Sequence, residues 1–189
     1  MGKGMGEHRN RKNIRLKGYD YSLPGGYFVT ICTFKKRCLF GKILHNEMQL
    51  SASGMAAKKC WEEIPEHFNN VLPDVFVVMP NHIHGIIAIC ETTMVGTRHA
   101  VSLQDYNIFG KPKRGSLSTI VGSYKSAVTK RIYELINDKQ TPIWQSKYYD
   151  RVIRNDKELF NIRKYIYYNP TQWETDEEYY NHSTHYMTR

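Results

Sequence analysis

Hydrophobic positions along this 189-residue chain switch between two periods. Tyr27-Phe28-Val29-Thr30-Ile31-Cys32-Thr33-Phe34 follows Pro24-Gly25-Gly26 and is rich in β-branched and aromatic residues, so it predicts a first strand. Residues 38–50 predict one or two short strands around Gly41 and Asn46. From Ser51 or Ser53 the period lengthens, and Met55, Ala56, Lys59, Cys60 and Ile64 follow a helical pattern until Pro65 kinks or ends it. Val75–Met79 and His82–Cys90 predict a hairpin about the Pro80-Asn81 turn. Residues 91–115 contain Gly96, Gly110, Pro112 and Gly115 and form a loop of a length usually functional or disordered. Ser116 then caps a helix marked by Leu117, Ile120, Val121, Tyr124, Val128, Ile132 and Leu135. Ile143–Ile153 is extended. Asn155 or Asp156 opens a last helix that runs to about Tyr168 and is stopped by Pro170.

This order predicts an α+β fold, with helices packed on a ferredoxin-like antiparallel sheet of four or five strands. The chain divides into a basic arm (1–18), one domain (19–173) and a polar tail (174–189). Apolar residues occupy both faces of the strand at 82–90: Ile83, Ile87 and Ile89 on one, Ile86 and Ala88 on the other. Both faces are therefore covered, by a helix of the same chain or by a second subunit.

Composition narrows the class. The formal charge is +9, and the arm alone carries Lys3, Arg9, Arg11, Lys12, Arg15 and Lys17 against Glu7. A polyanionic partner, nucleic acid or an acidic membrane surface, fits that balance. Fourteen Tyr, seven Phe and three Trp make stacking on bases available. No run approaches a membrane span, and the start lacks the apolar stretch of a signal peptide. Cys32, Cys38, Cys60 and Cys90 have no Cys-x-x-Cys spacing and read as buried free thiols of a reducing cytoplasm.

The chemistry starts at Met79-Pro80-Asn81-His82-Ile83-His84. Alternate residues of a strand share a face, so His82 and His84 present two imidazoles together, half of a divalent-metal site. On the last helix, at about 100° per residue, Leu159, Ile162 and Ile166 form an inward stripe. Tyr165 sits on its flank, Asn169 one turn on, while Tyr167 and Tyr168 point away. Tyr165 is then a nucleophile candidate and Asn169 a third metal ligand; a helix end that merely caps and packs fits the same spacing. A phenol, with a pKa of about 10, is a competent nucleophile and leaving group for phosphoryl transfer. With so few soft ligands, Mg²⁺ or Mn²⁺ suits the site better than structural zinc.

Taken together, Arg15-Leu16-Lys17-Gly18-Tyr19-Asp20-Tyr21, Tyr27-Phe28-Val29-Thr30, Met79-Pro80-Asn81-His82-Ile83-His84, Ile143-Trp144-Gln145, Asp150-Arg151-Val152-Ile153 and Tyr165-Ile166-Tyr167-Tyr168-Asn169-Pro170 resemble the REP-associated tyrosine transposases. These are relatives of the small His-hydrophobe-His (HUH) insertion-sequence transposases. The match spans residues 14–173. The resemblance implies a metal-dependent single-stranded DNA transposase or endonuclease, cleaving and rejoining hairpins of palindromic repeats through a 5′-phosphotyrosine on Tyr165. It implies His82 and His84 as metal ligands with Asn169 completing the site, and a monomer or a homodimer. A domesticated or non-catalytic hairpin-binding protein, and a relaxase or replication-initiator nickase, are the competing expectations. From charge, the expected DNA contacts are Arg15, Lys17, Lys111, Lys113, Arg114 and Lys125.

Overall fold

A computed structural model describes residues 18–91 and 115–175. The strongly apolar segment His82–Ile89 (β5) occupies an interior position, paired on one side with Val71–Val78 (β4) and on the other with Gly25–Cys32 (β1). Tyr149–Ile153 (β6) flanks β1, giving the order β4-β5-β1-β6 with every neighbour antiparallel. Gly41–Leu44 (β2) and Glu47–Leu50 (β3) form a separate two-stranded hairpin. Its tip, His45 and Asn46, has positive φ at both positions, as a two-residue hairpin turn requires. The main sheet therefore has four strands, in the ferredoxin-like order.

Helices cover both faces. Ala52–Glu62 (α1) is capped by the Ser51 side chain, which accepts from Gly54 N, and Pro65 opens the short Ile64–His67 turn (α2). Leu117–Ile136 (α3) is capped by Ser116 and ends on Asn137 in the left-handed region. These elements bury Ala57, Trp61, Ile120, Val121 and Val128 against Tyr27, Val29, Ile31, Ile83 and Ile87 of the sheet. On the opposite face Asp156–Tyr168 (α4), capped by Asn155, packs Ile162 and Ile166 on Ile86, with Phe28, Val77, Ile153 and Leu159 around them. The second covering layer is thus a helix of the same chain. Arg163 of α4 also donates from Nε to Asp74 of β4 at 2.9 Å.

Several boundaries differ from the sequence-based expectations. The first strand starts and ends two residues earlier than expected, because Thr33–Arg37 turns away and Lys35 and Lys36 adopt positive φ. β4 begins at Val71 rather than Val75; as an edge strand it accommodates Pro73 beside a bulge between Pro73 and Phe76. Within 143–153 only Tyr149–Ile153 pairs as a strand, with Trp144 bridging to Thr33. Cys38 is exposed and lies outside any strand, whereas Cys32 and Cys60 are buried. Residues 92–114, most of the expected loop, lie outside the described residues. Among those described, no helix is long and apolar enough to cross a membrane.

Gly85 is required by packing. A Cβ there would lie 2.3 Å from Cζ2 of the fully buried Trp61, whose indole stacks on the Phe76 ring. Gly85→Ala is therefore expected to lower stability by about 1–3 kcal/mol in urea unfolding. Combining it with Trp61→Leu should give a loss well below the sum of the two single losses.

Candidate active site

Strand alternation puts His82 and His84 on the α4 side of β5, both buried. Their rings lie 4.4 Å apart, centroid to centroid. Each imidazole is oriented through Nδ1. The Asn81 Oδ1 acceptor stands 2.7 Å from Nδ1 of His82, so that nitrogen carries the proton. Thr30 Oγ1 stands 2.8 Å from Nδ1 of His84, and β1 places Thr30 directly opposite His84 in the ladder. Tyr165 comes to the other edge of His84, its hydroxyl 3.1 Å from Nε2. Thr30 and Tyr165 thus flank the two ring nitrogens of His84, and its Nε2 faces the Tyr165 side of the site.

The surroundings keep His82 neutral. Burial pushes the His82 pKa down to about 3; the charge of Lys36 adds to that, and the Asn169 side chain, as an acceptor for the imidazole, opposes it. Asn169 is itself fully buried, at the C-terminal end of α4. Phe28 stacks on His84 at 5.4 Å and meets Tyr165 edge-on at 6.1 Å. Trp173, in the 3-10 segment Pro170–Thr175, lies 6.1 Å from the His82 ring. Tyr165 remains 40% exposed although its hydroxyl reaches the buried His84.

The donor set fits a divalent ion. Nε2 of His82 is buried and makes no well-formed hydrogen bond, an arrangement costly for a polar atom unless a ligand takes its lone pair. No third His, Cys, Asp or Glu joins the pair among the described residues, which leaves the Asn169 amide as the neighbouring protein donor. Imidazole and amide ligands carry no negative charge, so an ion held by them keeps its own and favours an anionic ligand such as a phosphate.

The fold brings His82, His84, Tyr165 and Asn169 together. Tyr167 and Tyr168 point outward, as their helical phase requires. Lys125 sits on α3, in the layer across the sheet, with Nζ donating to the carbonyls of Gln145 at 2.6 Å and Ser146 at 3.4 Å. Arg15, Lys17, Lys111, Lys113 and Arg114 lie outside the described residues. Sequence reasoning did not anticipate the supporting residues Thr30, Phe28, Lys36 and Trp173. The first two follow from β1–β5 register, which a single strand's pattern does not contain. Trp173, one helical turn past Asn169, was findable by spacing.

A Haemophilus influenzae protein, described as uncharacterized, is 40% identical over 170 residues, covering 90% of this chain and 93% of that protein. The chain belongs to that protein's family. No family model matches the chain. Among solved structures, a REP-associated tyrosine transposase bound to a REP hairpin aligns with a TM-score of 0.53 at 17% identity, over 84% of this chain and 73% of that one. The likeness shows a shared fold, and at that level the resemblance carried by the sequence motifs is borne out.

The depressed His82 pKa has a consequence for stability. Unfolded, the imidazole titrates near 6.5; folded, near 3. Between those values the unfolded chain binds the extra proton, so stability falls as pH drops from about 6.5 toward 3. Between pH 7 and pH 5 this group should remove about 2 kcal/mol. Urea unfolding at both pH values should show that loss in the wild type and a smaller one in His82→Asn.

Proposed function

We propose that this protein is a metal-dependent single-stranded DNA endonuclease of the transposase type. It cleaves and rejoins strands at hairpins of palindromic repeats through a phosphotyrosine on Tyr165. The observation that carries this is the contact of the Tyr165 hydroxyl with His84 Nε2, beside the second histidine. The fold shared with a transposase bound to a REP hairpin supports the substrate class, as does the net charge of +9.

His82, His84 and Asn169 would hold Mg²⁺ or Mn²⁺, which when bound supplies Lewis-acid stabilisation of charge on the phosphate oxygens. The chain's own residues do the rest. Asn81 and Thr30 occupy Nδ1 of His82 and of His84, so that neither Nδ1 competes for the site. The Tyr165 hydroxyl stands 3.1 Å from His84 Nε2, so an ion held on that nitrogen would lie beside the phenol oxygen. The Tyr165 oxygen attacks phosphorus and the bond from phosphorus to the 3′-oxygen breaks, leaving a 5′-phosphotyrosine. The 3′-oxygen leaves with the electron pair and gains one proton, matching the proton lost by the phenol. Attack by a second 3′-hydroxyl reverses the step and rejoins a strand. Little bond energy is lost, which suits transfer better than hydrolysis.

Incubating the protein with labelled single-stranded hairpins and Mn²⁺ should give a denaturation-resistant protein–DNA adduct. Tyr165→Phe and His82→Ala should give none, and Asn81→Ala should slow its formation about 10–100-fold. Cleavage that persists in Tyr165→Phe would reject Tyr165 as the nucleophile. Tight hairpin binding with no cleavage by the wild type would favour a binding protein.

A further inference from the structure

We propose that the outward face of α4 is a stacking platform for single-stranded DNA flanking the hairpin. The inference rests on the single-stranded substrate proposed above, but not on the covalent chemistry. α4 already buries its apolar stripe, Leu159, Ile162 and Ile166, against the sheet. Its opposite side nevertheless carries Phe160, 66% exposed, Tyr167, 77% exposed, and the half-exposed Tyr168. One exposed aromatic is ordinary; three on one helix face mark an interaction surface.

The spacing makes these residues one strip. Phe160, Lys164, Tyr167 and Tyr168 stand at i, i+4, i+7 and i+8, and Lys157 lies one turn before Phe160. Phe160 and Tyr167 are seven residues apart, about 10 Å along the axis, a separation that a short run of unstacked nucleotides spans. Tyr167 and Tyr168 brace each other edge to face at 5.0 Å, which limits the rotation of two of the rings. Lys157 and Lys164 are exposed between and beside the rings, in place to meet phosphates. Of the two acids in the first turn, Glu158 is engaged by Arg151 and by the Arg154 backbone, and Asp156 lies one turn before Phe160, against two lysines on the strip.

Flat rings alternating with lysines match a strand that alternates bases with phosphates. A second copy of this chain is disfavoured as occupant, because a two-fold contact would bring the lysines of one face against those of the other in a chain already at +9. Tyr165 lies on the flank of the same helix, so a strand crossing the platform leads to the proposed nucleophile.

Fluorescence anisotropy with the full chain tests the platform, using a labelled hairpin with and without a single-stranded flank. Phe160→Ala and Tyr167→Ala should each weaken binding of the flanked hairpin about tenfold. Neither should change affinity for the blunt hairpin or the salt dependence, and Phe160→Trp should bind at least as tightly as the wild type. Lys164→Ala should instead lower the log–log salt slope by about 0.7. Unchanged flanked-hairpin affinity in both alanine variants would overturn the platform, as would a wild type indifferent to the flank. A dimer in sedimentation that dissociates in these variants would assign the face to a second copy and equally overturn it. Flank-dependent binding without any adduct would retain the platform and reject the covalent mechanism. A normal adduct with unchanged affinities would do the reverse.

Discussion

The site depends on the register of β5 against its neighbours. A strand presents alternate residues to opposite faces, so a slip of one residue would carry His82 and His84 into the layer filled by α1 and α3. Ile83 and Gly85 would then lie beneath α4. Trp61 guards against that slip. Its indole fills the space above Gly85, which no side chain can share, and in the slipped register it would meet His84 or Ile86. The same pairing sets Thr30 opposite His84 and thereby fixes an imidazole that the β5 strand alone leaves free to turn. Stability and chemistry are thus coupled at one ladder of the sheet.

Around that ladder the chain builds a neutral pocket under a basic neighbour. His82 is uncharged at neutral pH because burial and Lys36 both oppose its protonation. A neutral imidazole is the form that offers a lone pair, so the electrostatics that disfavour the proton favour a metal. The nucleophile candidate is treated differently. Tyr165 is attached to the buried pair by its hydroxyl while its ring reaches the surface, which lets a large substrate approach without opening the core. The rest of α4 divides cleanly by helical phase into a face that packs, a flank that carries Tyr165, and an exposed aromatic face.

Much of this could be read from the sequence, for specific reasons. The helix starts were visible because a capping side chain is a local device: Ser116 makes the predicted bond, and of the paired candidates Ser51/Ser53 and Asn155/Asp156 the first of each is the cap. The inward stripe of α4 was visible because helical phase is local too, and it correctly separated Tyr165 from Tyr167 and Tyr168. Residues 71–74 were missed as strand because Pro73 speaks against one, and only edge position and a bulge make it tolerable. The histidine-supporting residues were hidden for a related cause. Thr30 and Phe28 are more than fifty residues from His84 in the chain and meet it only through strand pairing. The covering of both faces of β5 by one chain was likewise undecidable until α4 was placed.

Holding an ion beside Tyr165 requires both histidines to carry the proton on Nδ1, which leaves Nε2 of each ring for the ion. A long-range proton–nitrogen correlation spectrum of the imidazoles at pH 7 measures this directly, with no need for substrate or turnover. The account predicts the Nδ1-protonated tautomer for both His82 and His84. It also predicts that Tyr165→Phe shifts the Nε2 signal of His84 but leaves that of His82 nearly unmoved. A proton on Nε2 of either ring, or a charged His82 at that pH, would contradict it.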